Sequence, residues 1–274
     1  MKIVKRYMTK NRCYTNAKNI KVEKLVLHSL GVAQPNANVV INNWDNQTAS
    51  VSVHAFVMDN QVIQTLPWDY KAWHVGSGKS GSWNNCSIGV EICEPAGHKY
   101  NGGQMVNYDV AKNAEYFNKV YNNAVELFAY LCKEFGLDPL KDIYCHCEVH
   151  KLGYGSNHSD VMQWFPKHGK DMDKFRADVK VLLNKQTMPT KSITPDSPKA
   201  DIKWAQEKLN TVLTKIYGQI KNILPLDVDG DYGAKTRIAV LLYWDALGWG
   251  KDMADDGKKI GTATRQALTE GRIK

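Results

Sequence analysis

Lys24-Leu25-Val26-Leu27-His28-Ser29-Leu30-Gly31 is an apolar run that closes on a histidine and then on a glycine. A short run of this kind suits a strand buried in a sheet, with His28 delivered at its C-terminal end. Ligands collect in the crevice outside such strand ends, so a histidine there is placed for chemistry.

Working outward, Val51-Ser52-Val53-His54-Ala55-Phe56-Val57-Met58 and Gln61-Val62-Ile63-Gln64 predict two strands around the turn-forming pair Asp59-Asn60. Ser87-Ile88-Gly89-Val90-Glu91-Ile92 predicts another, with Glu91 inside an otherwise apolar stretch, where a carboxylate is costly unless it is used. From Tyr108 to Phe135 apolar residues recur every three or four positions, which predicts a long amphipathic helix stopped by Gly136 and covering one sheet face. Ile143-Tyr144-Cys145-His146 predicts a further strand ending in a histidine, and Met172 to Leu183 a short closing helix.

The segment from His146 through His150, Gly153, Gly155 and His158 to Asp160 gathers three imidazoles and a carboxylate in one loop. Glycines let a backbone bend until separated side chains converge. A catalytic zinc usually takes three protein ligands and leaves a fourth position to water, so the segment reads as half of a metal site.

The chain has 274 residues, enough for two unequal domains with a real core in the larger. Its formal charge of +8 favours an anionic partner: nucleic acid, acidic lipid or a cell-wall polymer. The six cysteines (Cys13, Cys86, Cys93, Cys132, Cys145, Cys147) lack the spacing of a disulfide scaffold and read as reduced thiols. Cys145 and Cys147 lack the second pair that a thiolate zinc knot needs, and are expected to pack on the strand face opposite His146. The basic segment Met1 to Lys10 runs into polar residues, so a secretory signal is not expected, and no stretch is long enough to span a bilayer.

Between Gln186 and Ala200 the composition shifts to Thr, Ser, Lys and three prolines, which reads as a semi-stiff linker over 186–199. A weak repeat follows. Asp229-Gly230-Asp231-Tyr232-Gly233-Ala234-Lys235-Thr236 and Asp256-Gly257-Lys258-Lys259-Ile260-Gly261-Thr262-Ala263-Thr264 each read as a turn leading into a helix.

Taken in order, Leu25-Val26-Leu27-His28-Ser29, Ser52-Val53-His54, Ala72-Trp73-His74-Val75-Gly76, Ser87-Ile88-Gly89-Val90-Glu91, His146 and Ser156-Asn157-His158-Ser159-Asp160-Val161 resemble the zinc-dependent N-acetylmuramoyl-L-alanine amidases of the phage lysozyme and peptidoglycan-recognition type. The resemblance spans roughly Lys24 to Phe165. It implies an α/β catalytic domain over 1–185 with a mixed central β-sheet flanked by helices. It implies Zn2+ as cofactor on His28, His146 and Asp160, Glu91 as general base and proton donor, and a cleft wall that includes His54, Trp73 and His74. His158 stands where many relatives carry an oxyanion-stabilising lysine; it fits that role or competes with Asp160 for the metal.

Other readings stand beside these. His54 and His74 are also readable as hydrogen-bonded core histidines, Trp73, Trp83 and Trp164 as core or as sugar-stacking platforms, and His98, His150 and His168 as surface groups. Residues 200–274, with Gln206 and Leu209 on a preceding helix, resemble the small all-α three-helix peptidoglycan-binding domain of wall hydrolases. The expected partners are bacterial peptidoglycan and anionic wall polymers, with no nucleic acid and no membrane span. The expected setting is a phage or prophage endolysin made in the host cytoplasm and released at lysis. The rivals are a non-catalytic peptidoglycan-recognition protein and a wall peptidase with Cys145 or Cys147 as nucleophile.

Overall fold

The computed structural model describes residues 2–183, 188–250 and 255–274. Contacts divide the chain into two units, Met1–Lys185 and Gln186–Lys274. In the first unit the strands are β1 (Ile3–Lys5), β2 (Lys24–Ser29), β3 (Ala55–Val57), β4 (Val62–Gln64), β5 (Ser87–Ile92), β6 (Lys99–Asn101), β7 (Gln104–Val106) and β8 (Ile143–Cys145). Six of them form a sheet in the order β1-β4-β3-β5-β2-β8, while β6 and β7 pair as a separate hairpin. Only β3 and β4 run antiparallel within the six, joined through Asp59-Asn60 with Met58 N–H donating to Gln61 O at 2.9 Å. The sheet is mixed, as expected.

Helix α1 (Ala37–Trp44) lies among the residues that cover one face, and the long helix α2 (Val110–Phe135) covers the other. Asp109 caps α2 by accepting from Lys112 N–H, and Gly136, at φ 66°, ends it in the left-handed conformation. Phe117, Val120, Ala124, Leu127, Phe128 and Leu131 of α2 are buried against Leu25, Leu27, Ile88, Val90 and Ile92, together with Phe175 and Val179 of α4 (Met172–Leu183). Each such side chain contributes about 1.5–3 kcal/mol of burial, which makes this layer the main support of the fold.

Strand parity then decides where the chemistry sits. Side chains alternate between faces. With Leu25 and Leu27 turned to α2, Val26 and His28 take the opposite face; with Ile88, Val90 and Ile92 turned to α2, so do Gly89 and Glu91. The β2–β5 register pairs Val26 with Gly89 and His28 with Glu91. A histidine and a carboxylate therefore stand side by side at the carboxyl ends of two parallel strands.

Two local expectations are corrected. The strand expected over Val51 to Met58 is confined to Ala55–Val57, because Ser52 bonds the loop instead: its N–H donates to Trp73 O at 3.0 Å and its Oγ accepts from Trp73 N–H at 3.1 Å. The strand expected to end at His146 ends at Cys145, and His146 opens the helix α3 (His146–Lys151). Helical geometry replaces the alternation expected for Cys145 and Cys147, and their sulfurs lie 3.1 Å apart.

The second unit contains α5 (Lys199–Tyr217), α6 (Ala234–Ala246) and α7 (Thr262–Glu270) around Trp204, Leu209, Val240, Tyr243, Trp244 and Leu268. The repeat is built as a pair of turns leading into α6 and α7. Gln206 joins the first turn to its helix, donating to Asp229 Oδ1 at 2.8 Å and Asp231 O at 3.0 Å and accepting from Gly230 N–H at 3.0 Å. Of the linker expected over 186–199, residues 186 and 187 lie outside the described residues. Parts of the remainder are fastened to this unit: Ile193 is fully buried and bridges Ile260, and Thr190 O accepts from the Arg265 guanidinium at 3.2 Å. Two apolar residues, Met188 and Ile193, among prolines and threonines give no periodicity by which to foresee that.

Candidate metal centre and active site

His28 is the penultimate residue of β2, and His146 follows β8, whose Cys145 pairs with Leu27 of β2. Parallel pairing thus brings the two imidazoles together. Asp160 arrives from a short 3-10 turn, Asp160–Gln163, with φ 43°, a left-handed conformation uncommon for a residue with a side chain. Its Oδ2 lies 3.1 Å from His28 Nδ1 and 3.0 Å from His146 Nδ1, and the three atoms fall within 4.8 Å of one another. Ligands on a tetrahedral zinc with bonds of about 2.0–2.1 Å are about 3.3 Å apart, so this spacing suits a small cation.

Hydrogen bonds on the far sides of both rings set which nitrogens are free. His74 Nε2 faces the Ser87 carbonyl at 3.4 Å and so donates, which leaves His74 Nδ1 to accept from His28 Nε2–H at 2.9 Å. His146 Nε2 likewise faces the Val75 carbonyl at 3.2 Å. Neutral His28 and His146 then both aim an Nδ1 lone pair at a carboxylate oxygen, an arrangement that needs a cation between them. Protonation is a poor substitute at His28, because burial drives its pKa down. At Asp160 burial opposes ionisation, and only positive charge on the Nδ1 side, as when His146 and His28 are protonated and donate to it, holds the carboxyl below its usual range.

Glu91 stands beside this cluster as the register partner of His28, with Oε2 buried and without a hydrogen-bond partner. Burial, then the charges of Asp160 and Glu94, push its pKa well above the usual carboxylate value. A half-buried carboxylate whose Oε2 is buried without a partner, next to three converging ligand atoms, has a cost that the fold does not recover.

Three residues expected in the cleft wall are found elsewhere. His54 is fully buried, accepting from Gly89 N–H at 3.0 Å and donating to Tyr70 O at 2.7 Å, and burial lowers its pKa to about 4. His74, also buried, orients His28 from beneath. Trp73 lines a separate hollow with Cys13, Asn16 and Lys71, where the Arg12 guanidinium sits 5.0 Å from its ring centre. Both histidines have their ring nitrogens satisfied inside the protein. Gly89 makes this packing possible: a Cβ there would lie 2.4 Å from the His74 ring. Gly89→Ala is therefore expected to destabilise the protein by about 1–3 kcal/mol through overpacking and to weaken metal retention with it. Thermal unfolding alongside metal analysis of the purified variant checks this; unchanged values for both would show that the ring has room to move.

His158 is exposed and stacks on His146, with ring centres 4.7 Å apart, and it is not among the three converging ligands. It lines a hollow of about 360 Å³ with Ser29, Gly31, Tyr100, Asn157 and Gln163, beside Asp160. His150 is exposed, as expected, and His168 is half-buried, stacked on Phe117 at 3.9 Å. His98 is not a surface group. It is buried, donating from Nε2 to Glu94 Oε2 at 2.8 Å; that carboxylate also accepts from Gly31 N–H at 2.9 Å and Tyr100 O–H at 2.9 Å. Tyr100 in turn accepts from Gln163, on the turn that Asp160 opens. Sequence reading missed this brace, although Glu94 directly after the apolar end of β5 carried the same signal as Glu91.

A family model for N-acetylmuramoyl-L-alanine amidase matches residues 18–163, which include His28, Glu91, His146 and Asp160. The N-acetylmuramoyl-L-alanine amidase CwlA of Bacillus subtilis (strain 168) is 34% identical over 137 residues, covering 50% of this chain and 44% of CwlA. XlyB of the same organism, also an N-acetylmuramoyl-L-alanine amidase, is 38% identical over 89 residues, covering 32% of this chain and 28% of XlyB. The chain spans less than half the length of these relatives. Among solved structures, the Staphylococcus aureus hydrolase AmiA in complex with its ligand aligns with a TM-score of 0.52 at 26% identity, over 67% of this chain and 83% of AmiA. The PlyG catalytic domain aligns with a TM-score of 0.50 at 23% identity, over 69% of this chain and 100% of that domain, a likeness of fold. The match over residues 18–163, carried by a sheet that sets His28 beside Glu91, means that the chain belongs to the N-acetylmuramoyl-L-alanine amidase family.

Proposed function

We propose that the protein hydrolyses the amide between the lactyl group of N-acetylmuramic acid and the L-alanine of the stem peptide in bacterial peptidoglycan, with zinc held by His28, His146 and Asp160. The observation that carries this reading is the convergence of two imidazole Nδ1 atoms and a carboxylate oxygen beside an unpartnered Glu91. Zinc bound there would polarise the scissile carbonyl and lower the pKa of a water to about 7. Glu91 takes the proton of the attacking water on its free Oε2 and delivers it to the leaving amine nitrogen, the work of a general base and then a general acid. His158, on the rim of the hollow, donates a ring N–H to the oxygen on which negative charge develops. His74 and the Val75 carbonyl hold His28 and His146 in the tautomers that leave Nδ1 free.

In this reading the second unit binds the wall and raises the local concentration of the catalytic unit on an insoluble polymer, while the charge of +8 assists adsorption to anionic wall polymers. The family match and the amidase names of CwlA and XlyB support the bond assigned, and an endolysin released at lysis is the biological setting proposed.

Digestion of purified peptidoglycan tests the reading. New N-terminal alanine without new reducing ends, abolished by a chelator and untouched by thiol alkylation, is the expected result. Reducing ends without free alanine would sink it, and inhibition by alkylation alone would favour a cysteine nucleophile. Within the same assay His158→Ala is expected to lower activity about 10²–10³-fold, the size of one lost oxyanion donor, while zinc content stays stoichiometric.

A further inference from the structure

Cys145 and Cys147 flank His146, one of the three converging ligands, and their sulfurs are 3.1 Å apart. Cys145 is buried at the end of β8, whereas Cys147 is half-buried in the first turn of α3. The other four thiols stand apart: Cys13 in the short helix Arg12–Thr15, Cys86 in the turn before β5, Cys93 after β5 and Cys132 in α2. We propose that Cys145 and Cys147 are a reversible oxidation site: a hydroperoxide closes them into a disulfide, and the closure releases the metal by displacing His146.

The step balances. The Cys147 sulfur attacks the peroxide, so that an S–O bond forms, the O–O bond breaks and the thiol proton leaves with the departing oxygen as water. The Cys145 sulfur then attacks the resulting sulfenic sulfur; the S–S bond forms, the S–O bond breaks, and the second thiol proton leaves with that oxygen as water. Two thiols lose two electrons and hydrogen peroxide gains them.

Geometry links the bond to the metal. A disulfide requires about 2.05 Å between sulfurs, roughly 1 Å less than the contact here, across a ring in which His146 is the only intervening residue. The neighbouring backbone is held while that ring tightens. Cys145 N–H donates to Glu148 Oε2 at 3.0 Å, and the Arg176 guanidinium grips Glu148 through contacts of 3.1 and 3.0 Å. The His146 ring lies between the two cysteines in sequence and is held by Asp160 at 3.0 Å and by Val75 O and Ser156 Oγ, each at 3.2 Å, so tightening of the backbone on both sides of it moves the ring against those contacts. Metal sites tolerate about ±0.2 Å in ligand position, so a shift approaching the sulfur movement spoils the site.

The inference rests on the zinc reading above, and the test separates the two. The full chain, reduced and loaded with zinc, is treated with hydrogen peroxide and then assayed for a Cys145–Cys147 cross-link by peptide mapping and for zinc affinity by competition with a chromogenic chelator. The expected result is the cross-link, with zinc affinity lowered about 10–100-fold and restored by dithiothreitol, and neither change in Cys147→Ser. Absence of the cross-link, a cross-linked protein that holds zinc as tightly as the reduced one, or equal zinc loss in Cys147→Ser would each overturn it. A reduced protein that binds no zinc would instead overturn the zinc reading, which the cross-link yield does not depend on.

Discussion

Asp160→Asn is expected to yield a folded protein that retains almost no zinc and has lost at least about a thousandfold in activity, because without the ion the pKa of water returns from about 7 to 15.7. Asparagine suits the site as a probe, since it tolerates the left-handed backbone found at φ 43° while removing the charge. Asp160→Ala would mix the loss of the ligand with strain at that angle. The carboxylate matters beyond its single bond to the metal: it lies opposite two Nδ1 atoms, at 3.0 and 3.1 Å, and is the only anion among the three ligands. Metal analysis after purification in zinc-containing buffer, together with circular dichroism to show that the fold persists, makes the measurement. Should Asp160→Asn keep its zinc while His158→Ala loses it, the third ligand would be His158.

The catalytic unit is legible in the sequence wherever one strand or one helix carries its own signal. The run Lys24 to His28 predicts both a strand and the position of its histidine, and Glu91 stands out because a carboxylate in an apolar strand has few structural uses. Pairing of β2 with both β5 and β8 is not legible, since register depends on partners far apart in the chain, yet that pairing is what gathers His28, Glu91 and His146. The roles of His54 and His74 are hidden for the same reason. A histidine in a motif looks the same whether it faces a cleft or lies beneath one, and here the notch at Gly89 decides between them. His98 reads as a surface group because its partner Glu94 is one turn of loop away and the sequence around it is polar. In the second unit the Asp-Gly turns announce their helices, but Ile193 does not announce its burial.

Glu91→Gln should separate chemistry from stability. A glutamine amide at this position cannot accept the proton of the attacking water, and kcat is expected to fall about 10²–10⁴-fold while zinc remains bound, because Glu91 is not one of the three converging ligands. Stability should move the other way. In the metal-free protein the folded-state pKa of Glu91 is raised by burial and by the charges of Asp160 and Glu94, whereas in the unfolded chain it returns to its ordinary value. A raised folded pKa contributes stability that is fully present below the unfolded pKa and is lost as pH rises through the folded one. At neutral and alkaline pH the wild-type protein is therefore destabilised by a charged, half-buried carboxylate whose Oε2 lacks a partner, a cost that glutamine does not carry. The melting temperature of chelator-treated Glu91→Gln is expected to exceed that of wild type, by a margin that widens from acidic to alkaline pH. Melting curves of both proteins at about pH 5 and about pH 8, on the acid and alkaline sides of neutral, measure it. A margin that is constant with pH would mean that Glu91 is solvated in the folded protein, and a variant that keeps wild-type turnover would remove Glu91 from the proton path altogether.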